Sequence, residues 1–527
     1  MKKALKKVAA LLLVGCMAFS ATAFAESPDP SISEGKTVIV GLQGDPASFN
    51  PTAAPDDWGY YVAENLFSRL VKLNWKGEAL PDLAESWDVS DDGLTVTFHL
   101  HDNAVWSDGE AVTAEDVKWT FDKIIEEQAY LVSYLGSVES IEATDDTTVV
   151  FHMSTPDAAL FTNIGFLGSF ILPEHVYEGQ DWTSCDAAVS SPVTSGPFTL
   201  EDYQQGVSVT LAANPNYYDG APAYDKLIYQ IIPDSNTAVQ AYNNGELDIL
   251  GIMAPASAIE DLKNDPDSTV VTNSNFGRYY YGYNVKSEKL SDVKVREALT
   301  LAVNREEIVD KAFGASGKLA EGYYTPAVEW AYNADAKIPD YDKEKAESLL
   351  QEAGLEKDYD GNYLELSIAT FNIEPFTNIA QIMQANLAEI GIKLDINTME
   401  AAAFMEIGSD ESAYDLYAMG GQIGPDPSMF YHRIGTDGMM NFSHYSNEKV
   451  DEMFTEAASL TDQDERGAIY KQIQEICAED FIFVPLSEDI SINVYKNYLT
   501  GLPYDTAVDT VAQTELSKVM FTAEPQY

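Results

Sequence analysis

Positive charge is scarce in this chain of 527 residues. It carries 31 Lys and Arg residues against 85 Asp and Glu residues, which gives a formal net charge of −54. An electrostatic field of that sign repels phosphate backbones, so nucleic acid is excluded as a partner. The acidity is typical of a strongly solvated surface, and the total charge does not indicate a cationic ligand.

Residues with metal or nucleophilic chemistry are also few, with six histidines and three cysteines. No nucleophile elbow, zinc motif or phosphate-binding loop occurs. His99 and His101 share one strand face, as metal ligands often do. No third His, Cys, Asp or Glu stands at a spacing typical of a metal site, so we expect no metal and no cofactor. Cys185 and Cys477 are isolated and typical of buried thiols. We expect no enzyme; a secreted hydrolase with paired carboxylates is the rival class, although so acidic a chain contains many such pairs by chance.

Long apolar runs are confined to the N-terminus. Four lysines between residues 2 and 7 precede an apolar run to about Phe19, and Ala23-Phe24-Ala25 forms an A-x-A cleavage site. This pattern predicts a secretory signal peptide over residues 1–25, too short for a membrane span. A second interpretation stays open, because Leu13-Val14-Gly15-Cys16 resembles a bacterial lipobox in which Cys16 is lipidated. Both interpretations place the mature chain outside the cytoplasmic membrane.

Strand and helix patterns alternate along the mature chain. Residues 37–42 form a short apolar strand, and residues 94–100 alternate apolar and polar side chains with the period of a half-buried strand. Asn304 and Glu307 form a capping box at a helix start. An apolar helical stripe over 379–390 ends at Gly391 and leads at once into another strand. Helix, glycine stop and strand in succession favour an α/β lobe, and we find no internal repeat or low-complexity linker.

Nine sequence blocks carry a family resemblance. The most specific is a strand-turn-helix unit centred on Trp106-Ser107-Asp108-Gly109, in which we interpret Asp108-Gly109 as a turn. In their order along nearly the whole mature chain, the blocks resemble family 5 of the bacterial extracellular solute-binding proteins. The blocks are 81–87, 98–121, 195–198, 214–218, 245–249, 293–299, 341–346, 424–427 and 445–447.

The resemblance implies an α/β clamp of the periplasmic-binding-protein type. Two main lobes close on the ligand, and a third, accessory lobe packs beside the first. Connections near Tyr283-Asn284 and Ser487-Glu488 are expected to form the hinge, and closure buries the ligand between the lobes. The expected divisions are 36–75 with 190–283 and 488–527 for lobe I, 76–189 for lobe II, and 284–487 for lobe III.

The resemblance also implies the binding component of an ABC importer, a monomer that delivers its ligand to permease subunits in the membrane. Members of the family bind oligopeptides, dipeptides, nickel complexes or haem. We expect a peptide, with an oligosaccharide, a metal complex or haem as the alternative. The sequence does not distinguish a transport protein from a cell-surface sensor or chaperone of the same fold.

The ligand is expected to meet a glycine-rich segment, residues 420–427, because glycine lets the backbone approach a ligand closely. Many peptide-binding members resemble G-W-x-x-D-x-x-D-P, whose first Asp pairs with the peptide's α-amino group. Aligned on Pro425-Asp426-Pro427, that Asp falls at Ile423, although a shifted alignment would offer Asp426 or Asp415. Residues 370–373, where some dipeptide binders supply an Arg, carry no positive charge. We therefore expect poor binding of free dipeptides and favour longer peptides.

Aromatic residues supply a second candidate surface. Tyr279, Tyr281 and Tyr283 share one face of a strand and are suited to stacking on a ligand, although cross-strand packing is the commoner role of such residues. The candidate ligand-binding residues are Gln43, Phe49, Tyr281, Tyr283, Asn284, Gly420, Gly421, Gln422, Ile423 and Asp426.

Overall fold

The structure is a computed structural model, and the predicted signal peptide and the Cys16 lipobox lie outside the residues that it describes. Within the described part of the chain, no helix has both the length and the apolar character needed to cross a membrane. Cys185 and Cys477 are both free thiols, the first half-buried and the second fully buried. The described ranges are 35–50, 52–53, 56–74, 76–166, 169–250, 254–504 and 515–523.

Strands occur from the beginning to the end of the described chain. Most of them are short, whereas β11 and β15 are long enough to run through more than one lobe. In chain order they are β1 Thr37–Leu42, β2 Val71–Leu73, β3 Ala79–Pro81, β4 Ala84–Val89, β5 Thr95–Leu100, β6 Val138–Asp145, β7 Thr148–Met153, β8 Phe198–Gln204, β9 Ser208–Ala213, β10 Lys226–Ile231, β11 Ser268–Tyr283, β12 Leu364–Phe371, β13 Ile392–Met399, β14 Leu416–Gln422, β15 Phe483–Lys496, β16 Leu499–Thr500 and β17 Met520–Phe521.

Helices are interleaved with these strands along the described chain. Short 3-10 or π turns over 130–134, 309–313, 314–316 and 427–430 supplement them. The α-helices are α1 Asp57–Leu66, α2 Ala114–Glu126, α3 Leu160–Phe166, α4 Glu174–Tyr177, α5 Asp186–Val189, α6 Ser235–Asn243, α7 Ala256–Asn264, α8 Val293–Ala302, α9 Arg305–Ile308, α10 Lys343–Glu352, α11 Phe376–Glu389, α12 Ala401–Ile407, α13 Tyr431–Ile434, α14 Glu448–Ser459 and α15 Gln463–Asp480.

Three sheets organise the fold, and we call the regions around them lobes I, II and III. Lobe I holds the sheet β1-β10-β9-β8, and lobe II holds the antiparallel sheet β4-β5-β7-β6. Lobe III holds the five-stranded sheet β13-β12-β14-β11-β15, in which β12 pairs in parallel with β13 and β14. Helices pack against these sheets, which confirms the α/β fold class.

The hydrophobic cores show which lobes belong together. One cluster of buried side chains runs through lobes I and II, from Val38 in β1 through Phe98 in β5 to Phe521 in β17. A second cluster fills lobe III and includes Ile379 on α11 and Leu416 on β14. Lobe II therefore packs on lobe I through a shared core, whereas lobe III has a core of its own.

Two long strands connect lobe I with lobe III. β11 and β15 pair in antiparallel fashion over most of their length, but the register shifts between Ser274 and Arg278. Beyond the shift, residues 277–283 pair with β14, so this part of β11 lies in the lobe III sheet, whereas the sequence placed it in lobe I. A second register shift in the same strand pair lies between Tyr279 and Tyr280, and the lobe boundary expected at Tyr283 stays a prediction.

Local sequence signals match the elements closely. β1 occupies the predicted residues, and β5 buries Val96, Phe98 and Leu100 on one face. The Asn304 side chain accepts a hydrogen bond from the Glu307 N–H at 3.0 Å and begins α9. These predictions depend on residues within one or two turns of each other, which is the range over which caps and periodicity act.

Candidate functional site

The glycine-rich segment, residues 420–427, covers the last three residues of strand β14 and the turn that follows it. Gly420 lies against Tyr279 of β11, and a Cβ on Gly420 would come within 2.6 Å of the tyrosine ring. Gly421 is exposed, has a φ of +122°, and the nearest atom to a Cβ built on it is Arg433 Nη2 at 3.9 Å. Packing therefore requires glycine at 420, whereas Gly421 opens the backbone to an incoming group.

The segment lies at a seam between lobes II and III. Phe166 of α3 makes an edge-on ring contact with Phe276 of β11, with centroids 6.1 Å apart. Tyr134 of lobe II makes a similar contact with His432 of α13 at 4.8 Å. Phe276 accepts a hydrogen bond from Ile423 of the glycine-rich segment, and His432 lies on the helix that follows this segment. The backbone at Gly421 is therefore close to the contact between lobes II and III.

Asp426, next to the seam, is held in a buried ion pair. Its carboxylate accepts hydrogen bonds from Arg466 Nη2 at 2.8 Å and from the Ser428 N–H at 2.9 Å. Both charged side chains are 5% exposed, and the guanidinium lies over the Trp330 ring at 5.2 Å. Burial opposes the charge on Arg466, but Asp426 and Tyr470 together outweigh it and hold the arginine pKa above its ordinary value. The carboxylate is therefore compensated within the protein.

The other two positions considered for binding an α-amino group are Asp415 and Ile423, and both are already hydrogen-bonded within the protein. Asp415 accepts from Lys289 Nζ at 3.0 Å and from the Ser367 N–H at 2.9 Å. Ile423 is 2% exposed, and its N–H donates to the Phe276 carbonyl at 2.7 Å. None of the three positions considered from the sequence, 415, 423 and 426, offers an uncompensated carboxylate.

The three-tyrosine face predicted from the sequence faces the lobe III core. Tyr281 and Tyr283 are fully buried, with their hydroxyls 3.4 Å apart, and the Tyr283 hydroxyl is 2.9 Å from Thr300 Oγ1. Tyr279 packs on Phe313, with ring centroids 4.8 Å apart. In this conformation the rings contact helices α8 and α11 and neighbouring residues, so Tyr281 and Tyr283 are covered by the core of lobe III.

The remaining candidates are dispersed. Asn284 is fully buried, and its side-chain amide donates to two backbone carbonyls before β14, at 2.7 and 2.9 Å. Phe49 is 3% exposed and packs edge-on against Tyr203 in the core of lobes I and II. Gln43 follows β1 and donates to the Pro233 carbonyl at 3.2 Å. The predicted residues of the glycine-rich segment thus lie together, whereas Asn284 and Phe49 are buried and make contacts within the protein.

Arg433 was missed by the sequence interpretation. Burial raises the pKa of Tyr280, Tyr324 and Tyr417, and the positive charge of Arg433 opposes that rise in each case. A cation therefore lies among these rings on the side of β14 that Gly421 opens. The sequence signal was an Arg seven residues after Asp426 in a chain with few cations.

The most specific sequence block forms a structural corner. Trp106 is 1% exposed, and its indole N–H donates to Asp116 at 3.3 Å. Gly109 has a φ of +97°, which fits the predicted turn. His99 contacts a carboxylate on the neighbouring strand at 3.1 Å, whereas His101 stacks on a tyrosine ring. Over the described ranges, no group of three or more His, Cys, Asp and Glu residues is placed to hold a metal ion.

Comparison with known proteins finds one family. "Bacterial extracellular solute-binding proteins, family 5 Middle" matches residues 78–442, more than half of the chain. The oligopeptide-binding protein AppA from Bacillus subtilis is 28% identical over 474 residues, which cover 86% of this chain and 87% of AppA. The dipeptide-binding protein from Escherichia coli is 27% identical over 494 residues, with coverage of 87% and 92%.

Solved structures show the same similarity in three dimensions. The ABC transporter substrate-binding protein CtaP from Listeria monocytogenes gives a TM-score of 0.81 at 29% identity and covers 93% of this chain and 100% of its own. AppA from Bacillus subtilis in complex with a nonapeptide gives a TM-score of 0.76 at 26% identity, with coverage of 94% and 100%. The similarity therefore extends over the whole clamp.

Proposed function

The chain belongs to family 5 of the bacterial extracellular solute-binding proteins, and from that premise we propose that it is the peptide-binding component of an ABC importer. Its relatives are solute-binding proteins rather than enzymes. In this proposal, a peptide longer than a dipeptide binds between lobe III and the body that lobes I and II form through their shared core, and it is delivered to permease subunits in the membrane. The protein acts as a monomer outside the cytoplasmic membrane.

The observation that carries the preference for longer peptides is the ion pair between Asp426 and Arg466. An α-ammonium group that is buried without a partner costs several kcal/mol, so a site for free dipeptides needs an available carboxylate. Asp426 is bound to Arg466 and Asp415 to Lys289, while the aligned position is an isoleucine. A longer peptide avoids this cost when its N-terminus lies outside the cleft and its backbone is held by the exposed strand end at Gly421.

The relatives support a peptide without fixing its length. AppA was solved with a nonapeptide, and another relative is named a dipeptide-binding protein. The compensated carboxylates in this chain favour the longer class.

Calorimetry against dipeptides, penta- to octapeptides and short oligosaccharides tests the proposal. We expect binding of the longer peptides with little change when the α-amino group is acetylated, because that group is not captured. Tight dipeptide binding that disappears on acetylation would contradict the proposed peptide length. Binding confined to oligosaccharides would replace the peptide proposal with the saccharide alternative.

We further propose that the clamp closes about the register shift between Ser274 and Arg278, where β11 and β15 lose their regular pairing. A strand pair without its ladder bonds is easier to bend than a continuous one, and both strands cross between the lobes there. Small-angle scattering of the protein with a bound longer peptide is expected to show a smaller radius of gyration than that of the free protein. An unchanged radius on saturation would contradict closure.

We also propose that the exported protein begins at Glu26 or at a lipidated Cys16. The proposal follows from the N-terminal sequence. The intact mass of protein isolated from its native cell surface distinguishes the two products. A surface-exposed form that retains Met1 would refute processing.

A further inference from the structure

The seam between lobes II and III contains a histidine that belongs to one lobe and contacts the other. His432 lies on α13 of lobe III, and its ring meets the ring of Tyr134 edge-on, with centroids 4.8 Å apart. Tyr134 packs against the core that lobes I and II share, whereas Ile434 at the end of α13 belongs to the core of lobe III. Because the two cores are separate, the contact forms when the clamp closes and breaks when it opens.

Other contacts continue the seam beside His432. The turn at Gly77, between β2 and β3, lies against Pro425 of the glycine-rich segment, since a Cβ built on Gly77 would come within 2.8 Å of the proline Cβ. Phe166 of lobe II meets Phe276 of β11, with ring centroids 6.1 Å apart. These apolar contacts exclude water, so His432 is less hydrated in the closed clamp than in the open one.

The surroundings of His432 disfavour its protonated form. Burial lowers the pKa of its imidazole below the ordinary value of 6.5, and the positive charge of Arg433 on the same helix acts in the same direction. Tyr134, the lobe II residue in contact, is uncharged at neutral and mildly acidic pH and offers no negative charge. Asp437, on the turn after α13, is exposed to solvent. A proton on His432 is therefore less stable in the closed seam than in the open protein, where water solvates the ring from the side of lobe II.

One carboxylate at the seam titrates in the opposite direction. Asp157 of lobe II accepts hydrogen bonds from Ser137 Oγ at 2.6 Å and from the Ala159 N–H at 2.9 Å. Burial raises the pKa of the Asp157 carboxyl, and the negative charge of Asp426 in lobe III adds to the rise, although both hydrogen bonds oppose it. A proton on Asp157 therefore favours the closed seam, whereas a proton on His432 opposes it, so the two groups have to be tested separately.

We propose that His432 couples closure of the clamp to pH: protonation of its imidazole opens the seam at Tyr134 and weakens ligand binding. The inference rests on the proposed function, because it concerns the closure that holds the peptide. In the open form the pKa of His432 is closer to 6.5 than in the closed form, so the open form takes up more protons as the pH falls below about 6.5. Bound peptide is therefore held at neutral pH and released more readily in an acidic medium.

Calorimetry at pH 5.5 and 7.5 measures the coupling. The ligand is the most strongly captured member of a pool of N-acetylated pentapeptides without titratable side chains, so its own charge stays constant over this range. We expect its affinity to be about three- to tenfold lower at pH 5.5 than at pH 7.5, since about tenfold is the most that one group with an ordinary pKa of 6.5 can contribute there. Titrations near pH 6 in buffers of different ionisation enthalpy should show that binding releases protons, about one per protein at most.

Four variants assign the effect to the seam contact. His432→Gln should abolish the pH dependence, and Tyr134→Ala should reduce it although His432 remains. Asp157→Asn should keep it, because the opposing group is removed. His444→Asn is the matched control: burial lowers the pKa of His444 too, but its ring contacts the Tyr414 hydroxyl at 3.2 Å within lobe III, so closure leaves its surroundings unchanged and the full pH dependence is expected. Asparagine suits that position because the φ of His444 is +50°.

The outcomes separate the inference from the proposed function. An equal affinity at both pH values overturns the inference, as does a rise on acidification, which a cation–π contact with Tyr134 would produce. A pH dependence that survives in a folded His432→Gln protein overturns it as well. Failure to capture any peptide of the pool at pH 7.5 refutes the peptide function instead. Small-angle scattering of the protein alone then decides the coupling: a larger radius of gyration at pH 5.5 than at pH 7.5 supports it, and an equal radius overturns it.

Discussion

Replacing Asp426 by Asn tests the buried ion pair at the edge of the pocket. Asn retains an oxygen that accepts the Ser428 N–H, so the cap of the 3-10 turn is kept, but the negative charge opposite Arg466 is lost. Removing one member of a buried ion pair leaves an uncompensated charge and costs about 3–5 kcal/mol of the free energy of unfolding. We expect a cost in this range because both charged side chains are 5% exposed.

The expected change in melting temperature follows from the size of the chain. Unfolding entropy is about 2.1 cal/mol/K per residue, which gives roughly 1 kcal/mol/K for a unit of about 500 residues. The loss of 3–5 kcal/mol would then lower the melting temperature by about 3–5 °C. If lobe III unfolds as a separate unit, the same loss produces a larger shift, so calorimetry is best combined with urea titration.

An exposed pair provides the matched control. Asp219 and Lys518 are 3.0 Å apart, like the buried pair in chemistry, but both side chains are 51% exposed. Asp219→Asn is expected to cost less than about 1 kcal/mol because water screens the pair. Adding Arg466→Met to Asp426→Asn should restore part of the stability, since the orphaned charge is removed. If Asp426→Asn costs no more than Asp219→Asn, the reasoning about burial is wrong.

Two further predictions concern packing and pH. In a urea titration, Gly282→Ala should lower the free energy of unfolding by about 1–3 kcal/mol, because the new Cβ would lie 2.3 Å from the Tyr417 ring. Gly136→Ala is the control, since a Cβ there has no atom within 4 Å and the free energy of unfolding should hardly change. Burial and a neighbouring arginine lower the pKa of His432, so the unfolded chain binds more protons, and stability should fall as the pH decreases below about 6.5. His432→Gln should weaken that part of the pH dependence in thermal melts at pH 5–8, and an unchanged profile would show that His432 contributes none of it.

Much of the local structure could be predicted because its causes are local. Strand β1 and the helix cap at Asn304 depend on side chains that are neighbours in sequence, so periodicity and capping residues identify them. The turn at Gly109 depends likewise on the backbone freedom of one residue. The order of the family blocks then predicted the clamp, although the sequence did not reveal that β11 continues into the lobe III sheet.

The contacts of the pocket were less accessible to prediction because they join distant parts of the chain. Asp426 and Arg466 are 40 residues apart, and no local pattern pairs them. The alternation of the strand correctly places Tyr279, Tyr281 and Tyr283 on one face of β11. It does not indicate whether helices or a ligand cover that face. Here helices cover it, and the Tyr283 hydroxyl lies 2.9 Å from Thr300 Oγ1 on α8.

The net charge of the whole chain and the charge balance around buried residues such as Arg278 are separate properties. A net charge of −54 is distributed over a surface where salt at physiological strength screens interactions beyond about 8 Å. Screening by salt is weaker around Arg278, which is 1% exposed, and burial lowers the pKa of its guanidinium to about 10 although the negative charge of Glu488 opposes that change. The net charge of the chain therefore does not determine the charge balance in its interior, because cations such as Lys226, Lys343 and Lys518 pair with carboxylates at the exposed surface whereas Arg278 is buried.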